Sequence, residues 1–100
     1  MKIPGLDRMP GMNRMMEQMQ QQQMEMQRQL EAARCEGTAG GGIVKVIVNG
    51  MKSVISVHIE PDALSDREML QDLIAAAVND AGRRADEVAQ GQMQNMLGGL

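Results

Sequence analysis

The chain contains no phenylalanine, tyrosine or tryptophan among its 100 residues, and only one cysteine and one histidine. Without aromatics, a core has to be assembled from Val, Ile, Leu, Met and Ala. The single Cys35 excludes an intrachain disulfide, and one Cys with one His leaves no metal-ligand constellation. The start of the chain lacks the continuous apolar segment of a signal peptide, and no apolar run approaches membrane-spanning length. A soluble, cytoplasmic protein in a reducing compartment is the expectation. A basic tail is missing as well. Residues 1–35 carry five basic and four acidic side chains, residues 36–59 two and one, and residues 60–100 three and eight, which gives segment charges of +1, +1 and −5 and a net −3. No segment announces nucleic-acid binding by charge alone.

Enzymatic constellations are equally absent. His58 has no nearby Cys, Ser or second His to serve as a base, and Cys35, although it follows Arg34, has no partner for nucleophilic work. GTAGGG at 37–42 lacks the Lys-Ser/Thr of a phosphate loop and is followed by a strand pattern rather than a helix, so its glycines are read as a turn. The acidic residues Glu60, Asp62, Asp66, Glu68 and Asp72 fit neither a calcium loop nor a facing carboxylate pair, and sit where a helix N-terminus favours negative charge. No enzyme, catalytic residue, cofactor or metal site is expected.

What the chain has in quantity is methionine. Seven of its 12 methionines fall in RMPGMNRMMEQMQQQQMEMQRQL at 8–30. From about Met12 to Ala33 the residues are strong helix formers. Met9, Met12, Met16, Met19, Gln23, Met26 and Leu30 follow alternating spacings of three and four, a coiled-coil seam broken once by Gln23. Three readings of that row stay open: a core against the chain's own sheet, a seam to a second copy or partner helix, and an adaptable groove that exploits the repacking tolerance of Met. A chain this short buries only about two-thirds of its unfolded surface, so self-association is expected. The favoured reading shares the row between the chain's own core and a second copy, with Met12, Met16, Met19, Met26 and Leu30 as seam residues.

The hydrophobic period then changes. A short strand from about Ala33 to Gly37 and a glycine turn precede GIVKVIVNG and MKSVISVHIEP, two alternating β-branched runs separated by Asn49-Gly50. That dipeptide predicts a hairpin with a two-residue type I′ turn. Val44, Val46 and Val48 then share a face with Ile55, Val57 and Ile59. Pro61 ends the second run, and Ser65-Asp66-Arg67-Glu68 reads as a capping box in which Ser65 and Glu68 satisfy the first free N–H groups of a helix. Met69, Leu70, Leu73, Ile74, Ala77, Ala81 and Val88 trace an apolar stripe along it. This helix is predicted to reach about Ala89, with helix formers continuing past Gly91 to Leu97. Asp80 and Arg84 make an i,i+4 pair on it. The fold class is α+β, with a small antiparallel sheet in an α-β-β-β-α order. Residues 1–100 form one domain, in which 1–10 are an irregular arm and 11–97 the ordered core.

GIVKVIVNG, IEPDAL, the capped Leu-rich helix start, LIAAAVNDAGRRADE and the Met/Gln-rich first helix together resemble the YbaB/EbfC family of bacterial nucleoid-associated proteins, over essentially residues 10–97. The resemblance implies a homodimer whose sheets associate centrally while long helices project as tweezer-like arms. It also implies DNA binding with little sequence preference, altered DNA conformation, and a part in nucleoid organisation and gene regulation. The chain departs from the family in its acidic balance and its lysine-poor first helix. Phosphate contacts are therefore expected from Arg14, Arg28, Arg83 and Arg84, doubled about a two-fold axis, with Lys2 and Arg8 of the arm adding to them. Base reading in the major groove is not expected, because no recognition-helix pattern is present. A second expectation, of another class, is a protein–protein adaptor that uses the Met-rich helix to hold a partner helix, with weak or no direct DNA binding. Neither expectation involves a membrane.

Overall fold

A computed structural model describes residues 10–98. Helix α1 (Pro10–Ala32) leads into strands β1 (Cys35–Ala39), β2 (Val44–Val48) and β3 (Val54–Ile59), and a 3₁₀ turn (Pro61–Ser65) into the long helix α2 (Arg67–Gly98). The strands form one antiparallel sheet in the order β1-β2-β3. This is the expected α-β-β-β-α arrangement. The irregular arm foreseen at 1–10, with Lys2, Arg8 and Met9, lies outside the described residues except for Pro10, which opens α1.

The core is a helix laid on two strands. Val44, Val46 and Val48 of β2 and Cys35 of β1 are buried against Ala77, Ala81 and Ala85 of α2. Alanine at every fourth position makes a smooth ridge, and Gly37 of β1 lets that ridge come into backbone contact. A Cβ at Gly37 would stand 2.3 Å from both the Ala77 carbonyl oxygen and the Ala81 nitrogen. Leu70, Leu73, Ile74 and Val78 flank the ridge, half-buried. Two members of the expected stripe lie off it, since Met69 and Val88 are exposed and Ala85 takes the last buried place. The strands are five and six residues long, so at about 3.3 Å per residue the sheet spans under about 20 Å. The stretch of α2 from Leu70 to Ala85 already covers about 22 Å. Val88 lies past the end of the sheet.

Three local expectations are corrected. β1 begins at Cys35 rather than near Ala33 because α1 is closed at its C-terminus by Arg34, whose guanidinium donates to the Glu31 and Ala33 carbonyls at 2.9 Å each. The β2–β3 hairpin has no type I′ turn. Neither Asn49 nor Gly50 has positive φ, whereas Lys52 does, at 66°. Lys52 N–H donates to the Asn49 carbonyl and Asn49 N–H to the Ser53 carbonyl, each at 3.0 Å. That is the bonding of a three-residue loop closed by a left-handed residue. Asn49 instead turns inward, buried, its side-chain oxygen accepting from Met51 and Ser53 N–H at 2.9 and 3.0 Å. Gly50 donates to the Leu30 carbonyl at 2.7 Å, and a Cβ on it would stand 2.9 Å from that same oxygen. The Asn-Gly pair therefore docks α1 as well as turning the chain. The longer loop also shifts the pairing: a two-residue turn would set Val44 against Ile55, whereas Val44 faces Ile59, Val46 faces Val57, and Val48 faces Val54 across an irregularity that leaves Ile55 without a partner. Finally, the cap of α2 is Asp66, whose Oδ1 accepts from Met69 N–H at 3.0 Å. The Ser65 hydroxyl is drawn back to the Asp62 carbonyl at 2.9 Å, inside the 3₁₀ turn, so the Ser65–Glu68 box does not form.

The methionine row does not pack on the sheet. Met12, Met15, Met16, Met19 and Met24 are 46–63% exposed; of the row, Met26, on the groove it shares with Gln92, and Leu30, against the Gly50 loop, are half-buried. α1 projects. The described residues measure 72 × 29 × 17 Å with a radius of gyration of 20.9 Å, against about 13 Å for a compact chain of this length. No helix among the described residues is long and apolar enough to cross a membrane.

Candidate nucleic-acid interface

Two antiparallel arms leave the sheet on the same side, α1 arriving and α2 departing. Near the sheet they flank a groove of about 270 Å³ lined by Gln22, Glu25, Met26, Gln29 and Gln92. α1 is two-faced. Its 14-residue separation places Arg14 and Arg28 close to four turns apart, on one face and about 21 Å from each other along the axis. The methionine row lies on the opposite face. Arg14 has no ion pair among the described residues, and Arg28 faces Glu25 at 3.4 Å with both side chains largely in solvent. A pair so exposed is held weakly and exchanges readily for a phosphate.

Arg83 and Arg84 stand on α2, beside the sheet rather than on the free arm. Both reach back one turn to a single carboxylate. Asp80 Oδ1 faces Arg83 Nη2 and Oδ2 faces Arg84 Nε, each at 3.5 Å. Asp80 also crosses to the sheet, its Oδ2 accepting Thr38 N–H at 3.0 Å on the outer edge of β1. That hydrogen bond, followed by the two arginine charges, holds the carboxyl below the ordinary aspartate range. The Asp80–Arg84 pair was readable from spacing. The bond to Thr38, 42 residues away in the chain, has no local sequence signal.

A further cation was not foreseen. Lys52, itself the left-handed loop residue, meets Asp86 of α2 with Nζ 3.0 Å from Oδ1. Lys52 and Arg83 thereby border one cleft floored by Val48 and Val78. The four expected arginines thus fall into two groups, Arg14 and Arg28 on α1, Arg83 and Arg84 on α2. Cys35 is a buried wall of the core, and His58 is exposed beside Glu60, with Nε2 3.5 Å from Oε1.

Opposite the covered strands, β3 is bare. Val54, Ile55 and Val57 are 46–52% exposed, and Leu64 in the following turn is exposed too. The edge of β1 is occupied at Thr38 by Asp80, while β3 offers an apolar, unpaired edge.

A short α+β unit with two projecting helices, exposed arginines along them and an open apolar sheet edge is the class that these features define. The profile of the YbaB/EbfC DNA-binding family matches residues 6–100, and the chain belongs to that family. It is 48% identical over 67 residues to a nucleoid-associated protein of Koribacter versatilis, covering 65% of this chain and 66% of that one. It is 49% identical over 67 residues to one of Chloroflexus aurantiacus, covering 65% and 67%, and 48% identical over 64 residues to one of Chlorobium phaeovibrioides, covering 64% and 59%. The match thus spans about two-thirds or less of these relatives. The fold is similar to the crystal structure of an uncharacterised Helicobacter pylori protein, with a TM-score of 0.75 and 23% identity over 86% of this chain and 92% of that one. The family is described by DNA binding, not by a reaction.

Proposed function

We propose that the chain is a nucleoid-associated protein that acts as a homodimer, binding the DNA backbone with little sequence preference and altering its conformation. Membership of a DNA-binding family carries the reading, and the exposed Arg14, Arg28, Arg83 and Arg84 supply its chemistry. Phosphate contacts by arginine position a protein on DNA without reading bases. In the dimer, the β3 edges and the apolar side chains on them meet, and the arms of both copies project from the joined sheets. DNA held between two pairs of arms is bent or bridged, which links binding to nucleoid organisation and gene regulation. The relatives carry the name nucleoid-associated protein, and that location follows for this chain on the same reading.

The test is a titration of fluorescent duplex DNA at two salt concentrations, with the protein's mass in solution measured by light scattering. Twice the chain mass with salt-sensitive, sequence-indifferent binding supports the proposal. Replacing Arg83 and Arg84 together by alanine should weaken binding equally on all sequences. A dimer that ignores DNA at low salt defeats it.

The exposed methionine row favours a second reading, an adaptor in which α1 holds a helix of another protein. Met16→Glu with Met19→Glu should abolish partner capture while leaving a dimer built on β3 intact. Loss of the dimer instead makes the row part of the self-association seam.

A further inference from the structure

We propose that Asp80 sets how much of the α2 arginine pair is available to a DNA phosphate, as an internal competitor fixed in place by the sheet. The inference rests on the reading of Arg83 and Arg84 as phosphate contacts. Its ground is the unequal freedom of the three side chains. Arg83 and Arg84 are 71% and 59% exposed, while the Asp80 side chain is only 25% exposed. The Thr38 N–H that Asp80 accepts belongs to β1, not to its own helix. An ordinary i,i+4 carboxylate swings with its partner. This one cannot follow without giving up a hydrogen bond that the strand edge otherwise lacks.

A phosphate approaching Arg83 or Arg84 therefore meets a fixed negative charge beside both guanidinium groups. To bind, each arginine turns away from Asp80, and the carboxylate stays where it is, facing the phosphate. The other nearby acids differ. Asp86 is matched by Lys52 at 3.0 Å. Glu87 has no ion pair among the described residues.

Asp80→Asn removes the charge and keeps an oxygen that can accept Thr38 N–H, so its structural bond persists. Glu87→Gln makes the same change in net charge on the same helix without touching the pair. Duplex DNA is titrated with wild type and both variants over a range of salt, and a thermal melt confirms folding. Asp80→Asn should tighten binding roughly three- to tenfold beyond Glu87→Gln, the scale of one exposed ionic contact per protomer, and should steepen the salt slope. Equal gains in Asp80→Asn and Glu87→Gln would reduce the effect to net charge and overturn the inference, as would weaker binding by Asp80→Asn. Loss of all binding in the wild type at low salt would instead defeat the DNA reading on which the inference stands. Wild-type binding unaffected by replacing both arginines would remove them from the interface, and Asp80's role with them.

Discussion

Gly37 and Asp80 fix the contact between α2 and β1 from its two sides. At Gly37 the neighbours of an added Cβ are backbone atoms of α2, which cannot move aside as a side-chain tip can. Gly37→Ala should therefore lower stability by about 1–3 kcal/mol or more, measured by denaturant unfolding, whereas an alanine at half-buried Gly82, with nothing within 4 Å of an added Cβ, should be tolerated. At Asp80 the effect depends on pH. Its folded-state carboxyl titrates below the ordinary value because Thr38 N–H and then the two arginines favour the charged form. The stabilisation is fully present above the unfolded-state value of about 3.9, and is lost as pH falls through the lower folded value. Wild type should exceed Asp80→Asn in melting temperature by a constant margin from pH 7 down to about 5, and the margin should close in acid. A margin that widens below pH 4 would contradict the assignment.

Among the elements, β3 is the one whose composition and surroundings disagree. Its residues are those of a half-buried strand, yet α2 covers β1 and β2 and leaves Val54, Ile55 and Val57 in solvent. Within one chain a charge at Val57 disturbs little. Across a dimer built on β3 it would bury an unpaired ammonium in the seam. Val57→Lys should convert the two-chain species to a single chain by light scattering while preserving the far-ultraviolet spectrum. A dimer that survives the change places the seam elsewhere, and α1 with its methionines is then the candidate. The helices show the opposite relation. α2 keeps its helix past the sheet to Gly98, and α1 is held at its C-terminal end, where the Leu30 carbonyl accepts Gly50 N–H, and projects from there.

At the scale of the molecule, a chain of net charge −3 has to bind DNA through local cations and not through its overall field. The four candidate arginines, Arg14, Arg28, Arg83 and Arg84, make at most eight phosphate contacts in a dimer. Since each contact releases counterions, the slope of log K against log salt should be no steeper than about −7. Contacts shared with Glu25 and Asp80 should leave it shallower. A steeper slope would require further cations, with Lys52 first among those described. An elongated unit 72 Å in its longest dimension also gives a clear scattering signature, and two such units joined at β3 should be longer or broader still.

The order of elements, the hairpin, the glycine turn and most of the apolar stripe of α2 were legible in the sequence because each depends on local period or on residues with restricted backbone choice. Gly40, Gly41 and Gly42 all take positive φ, as a turn demands. The cap at Asp66, the loop that replaced the type I′ turn and the start of β1 were decided by which carbonyl acceptors came within reach of a donor. Ser65 had Asp62 available, and Gly50 had the Leu30 carbonyl. Neither rival is visible in a motif. Of the candidate site, the sequence by itself determined which side chains are cationic and which i,i+4 pair they join. Only the tertiary structure decided that the methionines stay exposed, that Asp80 is tied to Thr38, and that β3 is left open. A helix ridge two strands wide cannot cover a third strand, and hydrogen bonds between residues 42 positions apart exist only once the helix and the strand have met.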